Sequence, residues 1–233
     1  MKKCFLLYIF CSSQLFAELI SPPNGSTISY IQVKFEWEAI DNSTKYEFEL
    51  SSTNDFSSRL ISREVADLQY FVKDYINWET TYYWRVKAVG GSWFGISSFN
   101  TGSTRSNVNV IMYDENQYAD GNTIFGSADG SYSAIIDKEG TEIWNSGEDP
   151  IIYYNFLDDE RFFGCRYDAA LDYEYPGVKF SLTDGIVWEE PNEELVHHEF
   201  LELPWGDYMG IAHQYQNGPV PQDNPFYAYY VQF

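Results

Sequence analysis

Thr141-Glu-Ile-Trp144, followed by Tyr153-Tyr-Asn-Phe-Leu157, returns 44 residues later as Gly185-Ile-Val-Trp188, followed by His197-His-Glu-Phe-Leu201. Trp144 answers Trp188, and Phe156 answers Phe200. A repeat of this size is what one four-stranded propeller blade occupies, because each blade is a sheet that must bury its faces against the next. Turn signals at Asp137-Lys-Glu-Gly140, Asp158-Asp-Glu160 and Thr183-Asp-Gly185 close the strands of both copies. At this spacing residues 103–233 hold about three repeats, whereas a closed ring takes four to eight. The pattern therefore predicts an incomplete β-propeller of about two to three blades. The pair Tyr153-Tyr154 becomes His197-His198 in the second copy, and a scaffold position that turns from phenol to imidazole is a place where chemistry can be grafted.

The composition agrees with an all-β chain. Twenty Tyr, 17 Phe and 7 Trp in 233 residues favour a pleated surface, on which aromatic rings pack well. Thirty-five Asp and Glu against 14 Lys and Arg give a formal net charge of -21, a field that repels nucleic acid and anionic membrane. Met1-Lys-Lys3, the mostly apolar run Phe5 to Phe10 and Leu15-Phe-Ala17 read as an export signal over residues 1–17, which predicts a secreted or periplasmic protein. That run is too short to span a bilayer, and no later segment is long enough, so no integral membrane segment is expected.

Cleavage after Ala17 leaves Cys165 as the one cysteine, which excludes an internal disulfide. Nothing around Phe162-Phe-Gly-Cys-Arg166 supplies the base and orienting group of a thiolate enzyme. His213 and Glu199 are not accompanied by a His-x-His or His-x-x-x-His pair, so neither a metal nor a cofactor is expected.

Residues 19–102 alternate in short bursts: Val33, Phe35, Trp37; then Tyr46, Phe48, Leu50; then Tyr82, Trp84, Val86, Ala88. Each burst turns one apolar row inward, and Pro22-Pro-Asn-Gly25 and Val89-Gly-Gly-Ser92 punctuate them, as in a small sandwich. This stretch resembles a fibronectin type III domain of the bacterial kind. Trp37 fits its buried strand B tryptophan, and Thr80-Thr-Tyr-Tyr-Trp-Arg-Val-Lys-Ala88 its strand F, which makes Tyr82 the corner tyrosine.

Val196-His-His-Glu-Phe-Leu-Glu-Leu-Pro-Trp-Gly-Asp-Tyr-Met-Gly-Ile211 resembles the histidine-bearing strand, turn and following strand of the arylsulfotransferase family, with Trp205 where an Asn is usual. Gly218-Pro-Val-Pro221 and the order of sandwich before propeller extend the likeness. The resemblance implies an exported enzyme that moves sulfate from a phenolic ester to a phenol, with its nucleophilic histidine on a later blade. A chain ending at Phe233 is then catalytically incomplete and calls for a downstream segment or a partner chain to complete the ring. His197 and His198 become substrate-binding positions, where imidazole donates to a sulfate oxygen or orients the phenol. Strand alternation lets only one of them face the substrate, and His198 is favoured because His197 shares a face with Glu199. The alternative is a non-catalytic extracellular binding or structural module.

The leader reading is checked by N-terminal sequencing of exported protein. The expected first residue is Glu18, and a mature chain beginning at Met1 overturns it.

Overall fold

In a computed structural model, the residues described are 18–232 apart from 41–42, 112–113, 115, 118, 158–160, 168–174, 192–195 and 213–228, with the backbone alone at Val196, His197, Ala212 and 229–232. The leader-like segment 1–17, His213 and the Gly218–Pro221 stretch lie outside them. The fold is all-β, with no helix among the described residues. Two compact units divide it. Lys34–Phe71 and Tyr82–Phe99 join the residues up to Ser26 in the first, and Thr27–Val33 and Val72–Thr81 join the residues from Asn100 onward in the second.

Eight strands between residues 19 and 101, numbered in chain order, make two sheets. One has the order β1 (Leu19–Ser21), β3 (Val33–Trp37), β6 (Gln69–Val72). The other has the order β2 (Ser26–Ile28), β8 (Ser97–Thr101), β7 (Thr81–Ala88), β4 (Tyr46–Ser51), β5 (Arg59–Val65). The alternating rows are buried as their period demands. Phe35 sits at the centre of the first unit, its ring 4.9 Å from Phe48, 5.2 Å from Trp84 and 5.8 Å from Phe99, mostly edge-on or tilted as aromatic quadrupoles prefer. Trp37 lies nearly parallel to Phe48, and Tyr82 stacks on Phe99. The indole N–H groups of Trp37 and Trp84 are buried without an acceptor, so these rings contribute through apolar area rather than hydrogen bonding.

The second unit carries three antiparallel meanders. β9 (Thr123–Ser127), β10 (Tyr132–Ile136) and β11 (Glu142–Asn145) form the first. β12 (Ile151–Leu157), β13 (Arg161–Arg166), β14 (Gly177–Ser181) and β15 (Gly185–Glu189) form a four-stranded second, and β16 (Val196–Glu202), β17 (Tyr208–Ala212) and β18 (Tyr229–Gln232) the third. The repeated tryptophans fall on β11 and β15, and the repeated Tyr-Tyr and His-His pairs on β12 and β16. β11 does not keep an open edge. Tyr30 bridges Trp144 in antiparallel fashion, the Ile31 N–H donates to the Ile143 carbonyl at 3.0 Å, and the Asn145 N–H donates to the Ser29 carbonyl at 2.9 Å.

Residues 103–106 are tied to the same strand. The buried Glu142 carboxylate accepts from the Arg105 and Ser106 backbone N–H groups, the Ser106 hydroxyl and the Asn145 side-chain amide, whose other donor contact is the Ser103 carbonyl at 3.0 Å. A carboxylate taken out of water needs such a set of donors to stay folded.

Between meanders the packing is close. A Cβ on Gly126 would lie 2.5 Å from the Tyr153 nitrogen, and one on Gly177 would lie 2.6 Å from the Phe200 ring. The Ser133 hydroxyl links the first meander to the second, donating to the Ile151 carbonyl and accepting from the Tyr153 N–H, both at 2.8 Å. Trp144 stacks on Phe180 and donates its indole N–H to the Leu182 carbonyl at 2.6 Å, while Trp188 stacks on Phe200 and Tyr208. Each copy of the tryptophan therefore packs on the meander that follows it. The equivalence of Phe156 and Phe200 does not extend to their surroundings: Phe200 is 0% exposed and Phe156 57% exposed, because the two strands depart from regular pairing by different amounts just before these residues.

Trp37→Ala is expected to cost roughly 3 to 5 kcal/mol by opening a large cavity. Trp37→Phe is expected to cost well under half of that, since the lost N–H had no partner. Urea denaturation checks both, and equal losses for the two variants would contradict this account of the core.

Candidate functional site

β12 and β16 open the second and third meanders, and both are irregular where the copies diverge in chemistry. On β12, Tyr153 pairs with Gly164 and Asn155 with Phe163, so Tyr154 is an extra residue bulged out of the ladder. On β16, Val196 pairs with Ala212 and Phe200 with Gly210, so residues 197–199 together face a single partner position. His198 lies at φ 60°, the left-handed region that a side chain with a Cβ rarely occupies. The even alternation expected for residues 197–199 is thus corrected, because a bulge and a left-handed residue both break the period of two. His198 is exposed, and Glu199 beside it is exposed too. His197 lies in the strand backbone, and its side chain is outside the described residues.

Tyr154 and His198 stand at equivalent places in the repeat. The Tyr154 hydroxyl donates to the Cys165 Sγ at 2.9 Å. Burial, then the proximity of Cys165, pushes the Tyr154 phenol far above its usual range. Burial likewise pushes the Cys165 thiol up to about 11, against the Tyr154 hydrogen bond that favours the thiolate. Both groups are therefore neutral at pH 7, and the cluster holds a hydrogen-bonded phenol and thiol rather than an activated nucleophile. Sequence reasoning missed this pair because Tyr154 reaches Cys165 across a hairpin.

The cations of the second and third meanders are engaged by carboxylates. Arg161 and Lys179 both contact Glu202, at 2.6 and 3.2 Å, and Arg166 pairs with Glu189 through two hydrogen bonds of 3.0 and 2.6 Å. Asn155 donates its side-chain amide to the Phe200 carbonyl at 3.0 Å, leaving its own Oδ1 buried without a donor. Among the described residues no group of three His, Cys, Asp or Glu side chains is placed to hold a metal ion. No helix among them is long and apolar enough to cross a membrane.

A separate cleft of about 270 Å³ within the second unit is lined by Tyr30, Trp144, Asp149 and Asp184 among others. Burial, then the Asp184 carboxylate, raises the Tyr30 phenol. His198 does not line this cleft. Its acidic wall suits a cation better than a sulfate ester.

No protein-family model matches the chain, and no curated protein is significantly similar to it.

The neutral thiol has a measurable consequence. Alkylation of Cys165 at pH 8 is expected to be about a hundredfold slower in the native protein than in urea, since each unit of pKa shift is a factor of ten in thiolate. The shift also lowers stability as pH rises, because the unfolded thiol loses its proton from about pH 8.5 upward while the folded one keeps it to about 11. Native labelling as fast as denatured labelling would contradict the buried, phenol-bonded thiol.

Proposed function

We propose that this chain is an exported arylsulfotransferase-like protein, a fibronectin type III-like sandwich followed by blades of a β-propeller, in which His198 faces the phenolic sulfate. The observation that carries the reading is the place of His198: an exposed imidazole, on a left-handed bulge of the strand that opens its meander, where the preceding copy has a half-buried tyrosine. Sulfuryl transfer builds charge on the sulfate oxygens and on the departing phenolate, and a preorganised imidazole donor offsets either. The nucleophile and the other oxygen donors are expected from further blades, supplied in continuation or by a partner chain. The engagement of Arg161, Lys179 and Arg166 by carboxylates supports this division of labour, since none of them is left to neutralise a sulfate.

The same engagement favours a second reading, a non-catalytic extracellular module, in which His198 is an ordinary exposed residue.

Transfer from 4-nitrophenyl sulfate to a phenol separates the two. The chain alone is expected to turn over little. Once the missing donors are supplied, His198→Ala is expected to lower transfer roughly 30-fold to 1000-fold and His197→Ala far less, the range expected for a lost transition-state hydrogen bond. Rapid transfer by the chain alone that survives loss of both histidines removes the assigned role. Absence of transfer in every completed form leaves the module reading.

A further inference from the structure

We propose that the cleft between the first and second meanders binds a small organic cation, an alkylated ammonium group held between the Tyr30 and Trp144 rings and the carboxylates of Asp149 and Asp184. This site is separate from His198 and stands without the role given to that residue.

The aromatic wall is placed by the backbone. Tyr30 and Trp144 are direct partners, flanked by the hydrogen bonds from Ile31 to Ile143 and from Asn145 to Ser29. Theirs is therefore the closely spaced pair of an antiparallel ladder, and both side chains leave it on one face. Trp144 belongs to the apolar cluster that joins the two meanders, and half-buried Tyr30 packs against it.

Charge around that wall is of one sign. Glu148, Asp149 and Asp184 line the cleft, and no Lys or Arg does. Among the described residues the Glu148 and Asp149 carboxylates have neither a hydrogen-bond donor nor a cation, whereas Glu189 and Glu202 are matched by Arg166, Arg161 and Lys179. Asp149 lies against the turn that carries Asp184: a Cβ on Gly185 would meet its Oδ2 at 2.6 Å. Asp184 takes the Ser181 and Thr183 hydroxyls, at 2.9 and 3.1 Å, on Oδ2. The loop bearing Glu148 and Asp149 is held from within. Its Gly147 N–H donates to the Asn145 Oδ1 at 2.8 Å, the Gly147 carbonyl accepts from Arg105, and the Asp149 N–H donates to the Ser146 carbonyl at 3.1 Å. Carboxylates fixed before a ligand arrives need less ordering when it binds.

These features select the ligand. Unbalanced negative charge excludes an anion. A hard divalent ion needs a full shell of oxygen ligands, and no group of three acidic or imidazole side chains among the described residues is placed to begin one. An ammonium bearing alkyl groups uses both surfaces at once, its charge against the carboxylates and the ring faces and its methyl groups against the apolar wall. At about 270 Å³ the cleft falls below the usual range for drug-sized ligands, so the group is small.

NMR of the full chain at constant ionic strength tests the site through the amides of residues 146–149 and 183–185. Choline is expected to shift them saturably, and its uncharged carbon isostere neohexanol to bind at least about tenfold more weakly. A short trimethyllysine peptide run beside choline separates a free cation from one on a side chain, the tighter of the two naming the source. Asp149→Asn removes a charge without removing a protein contact, and it is expected to weaken choline about fivefold to tenfold. Equal binding of neohexanol, saturation of the same amides by calcium chloride, or choline shifts no larger than those from sodium chloride each overturns the proposal, and none of these needs a variant. A folded Asp149→Asn protein that binds choline as the wild type does overturns it as well.

Discussion

The meanders of the second unit pack against one another, and the packing that results leaves no slack at its closest points. At Gly126 and Gly177 one backbone comes so near the next meander that a methyl group would overlap a main-chain nitrogen in one case and the Phe200 ring in the other. Around these contacts the large rings fall into place. Trp144 reaches forward to Phe180, and Trp188 forward to Phe200 and Tyr208, so each meander supplies the flat surface on which its predecessor's indole rests. The site depends on this spacing, since the Asn155 amide on β12 can meet the Phe200 carbonyl on β16 only if the two strands are held at a set distance.

Much of the architecture was legible in the residues. Rows such as Val33, Phe35, Trp37 have a period of two that only a half-buried strand explains, and all three are buried. The 44-residue offset located the strands carrying Trp144 and Trp188, because a recurring indole between turn signals reflects recurring packing. Three features were not legible. The pairing of Ser29 to Ile31 with β11 joins residues far apart in sequence, and backbone hydrogen bonds leave no trace in side-chain identity. The bulges at Tyr154 and at residues 197–199 insert backbone without altering the offset, so Phe156 and Phe200 align in sequence while one is exposed and the other sealed. The left-handed φ of His198 was hidden as well, since histidine gives none of the warning a glycine would.

Charge sets the terms for any chemistry here. A chain with a net charge of -21 surrounds an anionic ester with an unfavourable field, and its local cations are already committed to Glu189 and Glu202. Under the proposed function, binding depends on a few well-placed neutral donors, whose energy comes from geometry rather than from bulk attraction. On that reading, a histidine between two strand residues held in register suits the requirement better than one on a freely moving loop, because less order has to be created on binding.

The strand borrowed from residues 29–31 bears on how the protein comes to be folded. These residues leave the ribosome long before Trp144 exists, and they must wait, unpaired, while more than a hundred further residues are made. Contacts of such separation slow folding, since the closure entropy is spent before the contact rewards it. Until that pairing forms, the outer edge of β11 is without its cover, and an uncovered strand edge is a template for other chains. The interval between the synthesis of β11 and its pairing with Ser29 to Ile31 is therefore an interval in which the nascent protein is open to misassociation.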